Sequence, residues 1–215
     1  REVDEVVRVR LEALRARVDD LTLADVDGDG KRDLIVAMQN RFNARVWPKR
    51  EFVTMRAIAD LFEVLALLGV EGTPDFDRYW TTIGPFIFSP KGHAPSGDDL
   101  SVIAHEMGHV VQWHRDHVRF AAEYLASPER RAVFEAEAER GRFEVLHLIG
   151  EPLPQSLDAL DMMRHGYMVD DAHADLCRDL CEQHLASVAS GVISTDVGLF
   201  VRDWLEAKGA ANADR

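Results

Sequence analysis

One pentapeptide limits what this chain can fold into: His105-Glu-Met-Gly-His109. On a helix, residues four apart stand one above the other, so both imidazoles face the same way and can grip one metal ion. Glu106 then lies beside any water on that ion, where it can take a proton from it. Such a helix must pack its histidine face against an element that supplies a third ligand. A catalytic zinc takes three protein ligands and keeps a fourth position open for water. The surrounding residues suit a packed helix. Ser96 and Asp99 are spaced as a capping box. Leu100, Val102, Ile103, Val110 and Val111 supply an apolar framework on either side of the motif.

Where the third ligand comes from is the next constraint. A continuation to HxxGxxH fails, because Gln112 stands in place of the glycine and Arg115 in place of the histidine. His114 and His117 fall on other parts of the helix and are expected to face solvent. Residues 128–149 read as one long helix, with Pro128 suited to its first turn and Gly150 and Pro152 ending it. It offers Glu135, Glu137 and Glu139. Phe134, Ala138, Gly141, Val145 and Leu148 form an apolar stripe, and Glu137 falls within it. Ala138 and Gly141 are small enough for close approach to the His105 helix. Glu137 is the first choice for the third ligand, with Glu135 second.

These two segments resemble the gluzincin group of zinc metallopeptidases, in particular its compact bacterial members. There HExxH on one helix is answered by a Glu-Ala-Asp/Asn sequence on the next. His105 to Gln112 carries the first part and Glu135-Ala-Glu-Ala138 the second, in a register that places the ligand on Glu137. Glu139 stands where the group has Asp or Asn. The resemblance covers roughly residues 80 to 150. It implies an α+β, zincin-like fold, mostly helical, with a small sheet preceding the HExxH helix. It implies Zn²⁺ as cofactor, Glu106 as general base and a peptide or protein as substrate. Its edge strand would hold that substrate, and residues 81–88 are the candidate, with Ile83, Phe86 and Phe88 at the contact. Pro85 suits an edge. Tyr167 and His165 are candidates to stabilise the oxyanion, and Asp170, Asp171 or Asp175 to orient a ligating imidazole.

A second metal is suggested near the start. Asp25, Asp27, Asp29 and Asp33 occupy positions 1, 3, 5 and 9 of a calcium-type loop, with Gly30 at the sharp turn and Lys31 offering a carbonyl. Val36 replaces the closing glutamate of an EF-hand, and Leu34 to Ala37 read as a strand. The segment therefore resembles the Ca²⁺-binding hairpin of integrin-type propeller repeats, present once. Cys177 and Cys181, four apart near His173 and His184, read as buried thiols rather than a second zinc site.

A net charge of -13 argues against nucleic acid and anionic membranes as partners. No apolar run approaches a membrane span. Residues 1–50 are expected to form a helix and the calcium hairpin, and residues 51–215 the zincin-like domain, as one compact unit. Helices are expected near 2–18, 51–69, 156–165, 169–188 and 195–208. The chain opens on Arg1, so a preceding segment and a larger polypeptide or assembly are expected. The calcium loop favours an extracytoplasmic or secreted location. Two readings other than a peptidase stand beside it: a zincin-fold structural or interaction module without catalysis, and a delivered effector or toxin protease.

Overall fold

A computed structural model describes residues 30–49, 79–90, 93–154 and 171–213. Among these the chain is α+β: mostly helical, with one small sheet ahead of the HExxH helix. The order is α1 (Lys31–Arg41), β1 (Arg45–Pro48), β2 (Thr81–Ile83), β3 (Phe86–Ser89), α2 (Leu100–Arg115), α3 (His117–Ala126), α4 (Pro128–Leu148), α5 (Asp171–Ala189) and α6 (Asp196–Ala213). The expected helices at 2–18, 51–69 and 156–165 lie outside the described residues.

The sheet has strand order β1-β3-β2, with β1 parallel and β2 antiparallel to the central β3. Residues 81–88 are therefore a hairpin and not the single strand read from the sequence. The chain reverses at Gly84-Pro85 between the paired Ile83 and Phe86, with Gly84 at φ +61°. Glycine at the first central position of a two-residue loop matches the twist of the flanking strands. Pro85 thus serves the turn rather than an edge, and β2 forms one edge of the sheet among the described residues, β1 the other.

Ser96 and Asp99 make the reciprocal capping box, which first winds a 3₁₀ turn (Gly97–Asp99) and then opens α2. Asp99 accepts from Ser96 N–H at 2.8 Å. α2 buries Leu100, Ile103, Met107 and Val110 against Ile87 of the sheet and against Leu34, Ile35 and Met38 of α1. α1 itself corrects the strand expected at Leu34 to Ala37. Leu34, Ile35 and Met38 recur at helical spacing, and burial against α2 overrides the β-propensity of the Leu-Ile-Val run.

α4 is the centre of the helical layer, with α2, α3, α5 and α6 all packed against it. Ser127 caps it through Arg130 N–H, Pro128 opens its first turn, and Gly150 at φ +76° follows its end. At Gly108 the α2 backbone comes so close that an added Cβ would meet Ala138 Cα at 3.0 Å. On its far side α4 holds the start of α6. The buried Glu144 carboxylate accepts from Ser194 N–H at 2.9 Å, Thr195 N–H at 3.0 Å and Arg140 Nε at 2.9 Å. Cys177 and Cys181 are free and buried between α4 and α5, as expected.

Candidate metal centre

α2 turns His105, Glu106 and His109 inward, and all three are buried. α4 presents Glu135 and Glu139 to them, so a His-His pair four apart faces a Glu-Glu pair four apart. His105 Nε2 and His109 Nε2 lie 3.2 Å apart. Glu135 Oε2 lies 3.3 Å from the first and 3.4 Å from the second. These three atoms, all on buried residues, form a nearly equilateral triangle able to hold a metal ion.

The surroundings fix which atoms face the centre. Gln112 donates its amide N–H to Phe134 O at 2.8 Å and to Glu137 Oε2 at 3.1 Å. Its oxygen is left to accept from His109 Nδ1–H at 2.9 Å. Glu139 Oε1 lies 3.3 Å from His105 Nδ1, and Arg142 donates to both oxygens of Glu139 at 3.2 Å. With each Nδ1 proton turned outward, both imidazoles in their neutral form direct lone pairs at the triangle. Glu135 Oε2 points at the same space and receives no hydrogen bond. Two buried imidazole nitrogens and a buried carboxylate oxygen converging this closely call for a positive charge among them, a proton on an imidazole or a metal ion. The electrostatics agree. Burial alone would lower the pKa of His105, but Glu135 and Glu139 outweigh it and push it up to about 10. Burial would raise the Glu135 carboxyl, yet His109 and His105 hold it well below the usual carboxylate range. The pocket favours positive charge.

Glu137 is corrected by this geometry. Its side chain is partly exposed, paired with Arg115 and Gln112, and not directed at the histidines. The apolar stripe misled because α4 is covered on several sides, and the face turned to α2 carries Glu135, Ala138 and Glu139. Glu137 supports the centre one step removed, by holding the Gln112 amide that orients His109. Among the described residues, the side chains that face the two Nδ1 atoms are Glu139 and Gln112. Asp175 is exposed and paired with Arg178 at 2.9 Å, while Asp170 and the side chain of Asp171 lie outside what is described.

Two neighbours were not read from the sequence. Thr82 on β2 donates its hydroxyl to Glu106 Oε2 at 2.6 Å, tying the sheet edge to the candidate base. Tyr124 on α3 donates its hydroxyl to Glu135 Oε1. Burial first, and then the Glu135 charge, raise that phenol well above its ordinary pKa, so it stays a donor. Nothing in the local sequence of either residue marks it; only the fold brings them in.

The remaining candidates are placed as follows. Tyr167 and His165 lie outside the described residues. His114 and His117 are exposed, as expected. Ile83 and Phe86 are exposed but Phe88 is buried at 2%. By strand alternation and pairing, all three point to the sheet face opposite Thr82 and Glu106, which removes Phe88 as a contact and puts the other two off the base's side. Of the calcium loop, Asp25, Asp27 and Asp29 lie outside the described residues. Lys31 and Asp33 sit in the first turn of α1, Lys31 Nζ 2.5 Å from Glu151 and Asp33 2.6 Å from Lys208 Nζ. No calcium site has support among the described residues, and the second strand of the expected hairpin is replaced by α1.

Comparison of the chain with protein-family models, curated proteins and solved structures finds no match to any of them.

Proposed function

We propose that this chain is a zinc-dependent peptidase of the gluzincin type, with His105, His109 and Glu135 as metal ligands and Glu106 as general base. The reading is carried by the triangle of donor atoms. Zinc binds nitrogen and carboxylate oxygen at about 2.0–2.1 Å, and a tetrahedral face of such bonds has edges of about 3.3–3.4 Å. The three edges here are 3.2, 3.3 and 3.4 Å. Two imidazoles and one carboxylate also form a donor set suited to zinc rather than calcium, which takes six to eight oxygens.

Zinc held by His105, His109 and Glu135 would supply Lewis acidity and a water of lowered pKa, about 7. Glu106, beside the ligands and felt electrostatically by His109, is the group placed to take a proton from a water there as general base. The same carboxyl returns the proton to the amine nitrogen as the peptide C–N bond breaks. Thr82 holds one oxygen of Glu106 from the sheet edge, leaving the other for the proton. The outer backbone edge of β2 is then where an extended peptide can pair, next to the base.

Element-resolved metal analysis of the purified chain, paired with Glu106→Gln, tests the proposal. One zinc per chain in both forms, with peptide cleavage only by the wild type, is the expected result. Equal cleavage by both forms, or no bound transition metal in either, refutes it.

A further inference from the structure

We propose that Tyr124 is the positioning residue that confines Glu135 to ligation through one oxygen, and so keeps the fourth coordination position open. This inference rests on the metal-centre reading above. A carboxylate has two oxygens, and a glutamate that offered both would fill the place that an attacking water needs. Here the two oxygens are divided. Oε2 faces both imidazole Nε2 atoms, at 3.3 and 3.4 Å. Oε1 accepts from the Tyr124 hydroxyl and is turned away from the triangle.

The tyrosine is itself held in place from three directions. Its ring meets His109 edge-on at 5.9 Å between centroids and leans on Phe120 at 5.7 Å. The Arg131 guanidinium lies over it at 5.5 Å. Arg131 Nε also donates to the Tyr124 carbonyl at 2.8 Å, and its Nη2 to the Leu125 carbonyl at 3.1 Å. These bonds fasten the end of α3 to the first turn of α4, seven residues from Tyr124 along the chain. The hydroxyl therefore reaches Glu135 from a fixed ring, and rotation of the carboxylate toward two-oxygen ligation would break its bond.

The test uses the full chain loaded with Co²⁺ in place of zinc, in wild type and in Tyr124→Phe, which keeps the ring and its packing. The wild type is expected to show the intense visible absorption of four-coordinate cobalt. The variant is expected to bind one cobalt with a weaker, shifted band of higher coordination number. Its zinc affinity is expected to fall about tenfold, the scale of a lost support to a ligand. Identical spectra and affinities in the two proteins would overturn the assignment of Tyr124 while leaving the metal centre intact. Failure of the wild type to bind cobalt or zinc would instead remove the centre itself, and the inference with it. A second measurement needs no variant. The infrared difference spectrum of the wild type on zinc loading should show the wide carboxylate splitting of one-oxygen ligation, and a narrow splitting would refute it.

Discussion

The contact between Gly108 and Ala138 sets the spacing on which the metal centre depends. A Cβ at Gly108 would stand 3.0 Å from Ala138 Cα and 3.1 Å from its Cβ. Carbon atoms rest at about 3.5–4.0 Å, so α4 must give way by a few tenths of an ångström. Ala138 is one turn from Glu135, whereas metal sites tolerate about 0.2 Å in their ligand distances. Overpacking of this kind costs about 1–3 kcal/mol, partly offset by the better helix propensity of alanine, worth about 1 kcal/mol. Gly141→Ala provides the control, inside the facing helix α4 and with a similar propensity gain. Its added Cβ would meet nothing nearer than Thr195 Oγ1 at 3.7 Å, an ordinary contact. The difference between the two variants therefore isolates packing. At about 2–4 °C per kcal/mol for a chain of this size, Gly108→Ala should melt about 2–12 °C below Gly141→Ala. Calorimetry reads that difference, and zinc competition titration should show weaker binding in Gly108→Ala alone. Equal melting temperatures and equal zinc affinities in the two variants would refute the reasoning.

Other expectations follow from single contacts. Glu144→Ala removes the buried acceptor for Ser194, Thr195 and Arg140 and should lose about 3–5 kcal/mol, read by urea denaturation. Gln112→Ala frees His109 Nδ1 and should weaken zinc binding about 10–100-fold, whereas Asp175→Ala at the exposed α5 site should leave it unchanged. Thr82→Val should keep zinc stoichiometry but lower kcat, because it releases Glu106 and touches no ligand.

The sequence made the α2 half of the site legible because its signal is local. His105, Glu106 and His109 are neighbours on one helix, and Ser96 with Asp99 announces where that helix begins. The α4 half depends on which side of a helix faces which neighbour. When nearly every side of a helix is covered, an apolar stripe no longer indicates the face that matters, and it points to Glu137 rather than Glu135. The matching i,i+4 spacing of Glu135 and Glu139 was the better signal, since it mirrors His105 and His109. Thr82 and Tyr124 were beyond reach because they come from separate elements and join the site only through tertiary contact. In α1, a run of Leu, Ile and Val carried a strand preference that packing overrode. Gly84-Pro85 is a dipeptide that suits a tight turn as well as a strand edge, and the pairing of Ile83 with Phe86 decides for the turn.

Between the two ligand-bearing helices lies α3, which has no buried residue and leaves Val118 and Leu125 exposed. Amide protons in such a segment exchange through small local openings, at free energies well below that of global unfolding. α2 and α4, deep in the packed layer, should exchange far more slowly. Each opening of α3 carries Tyr124 away from Glu135 while the three ligand atoms stay on their rigid supports. The residence time of a metal ion held at these three atoms would then follow the breathing of α3, a helix with no fully buried residue, more than the strength of the two helices that carry the ligands.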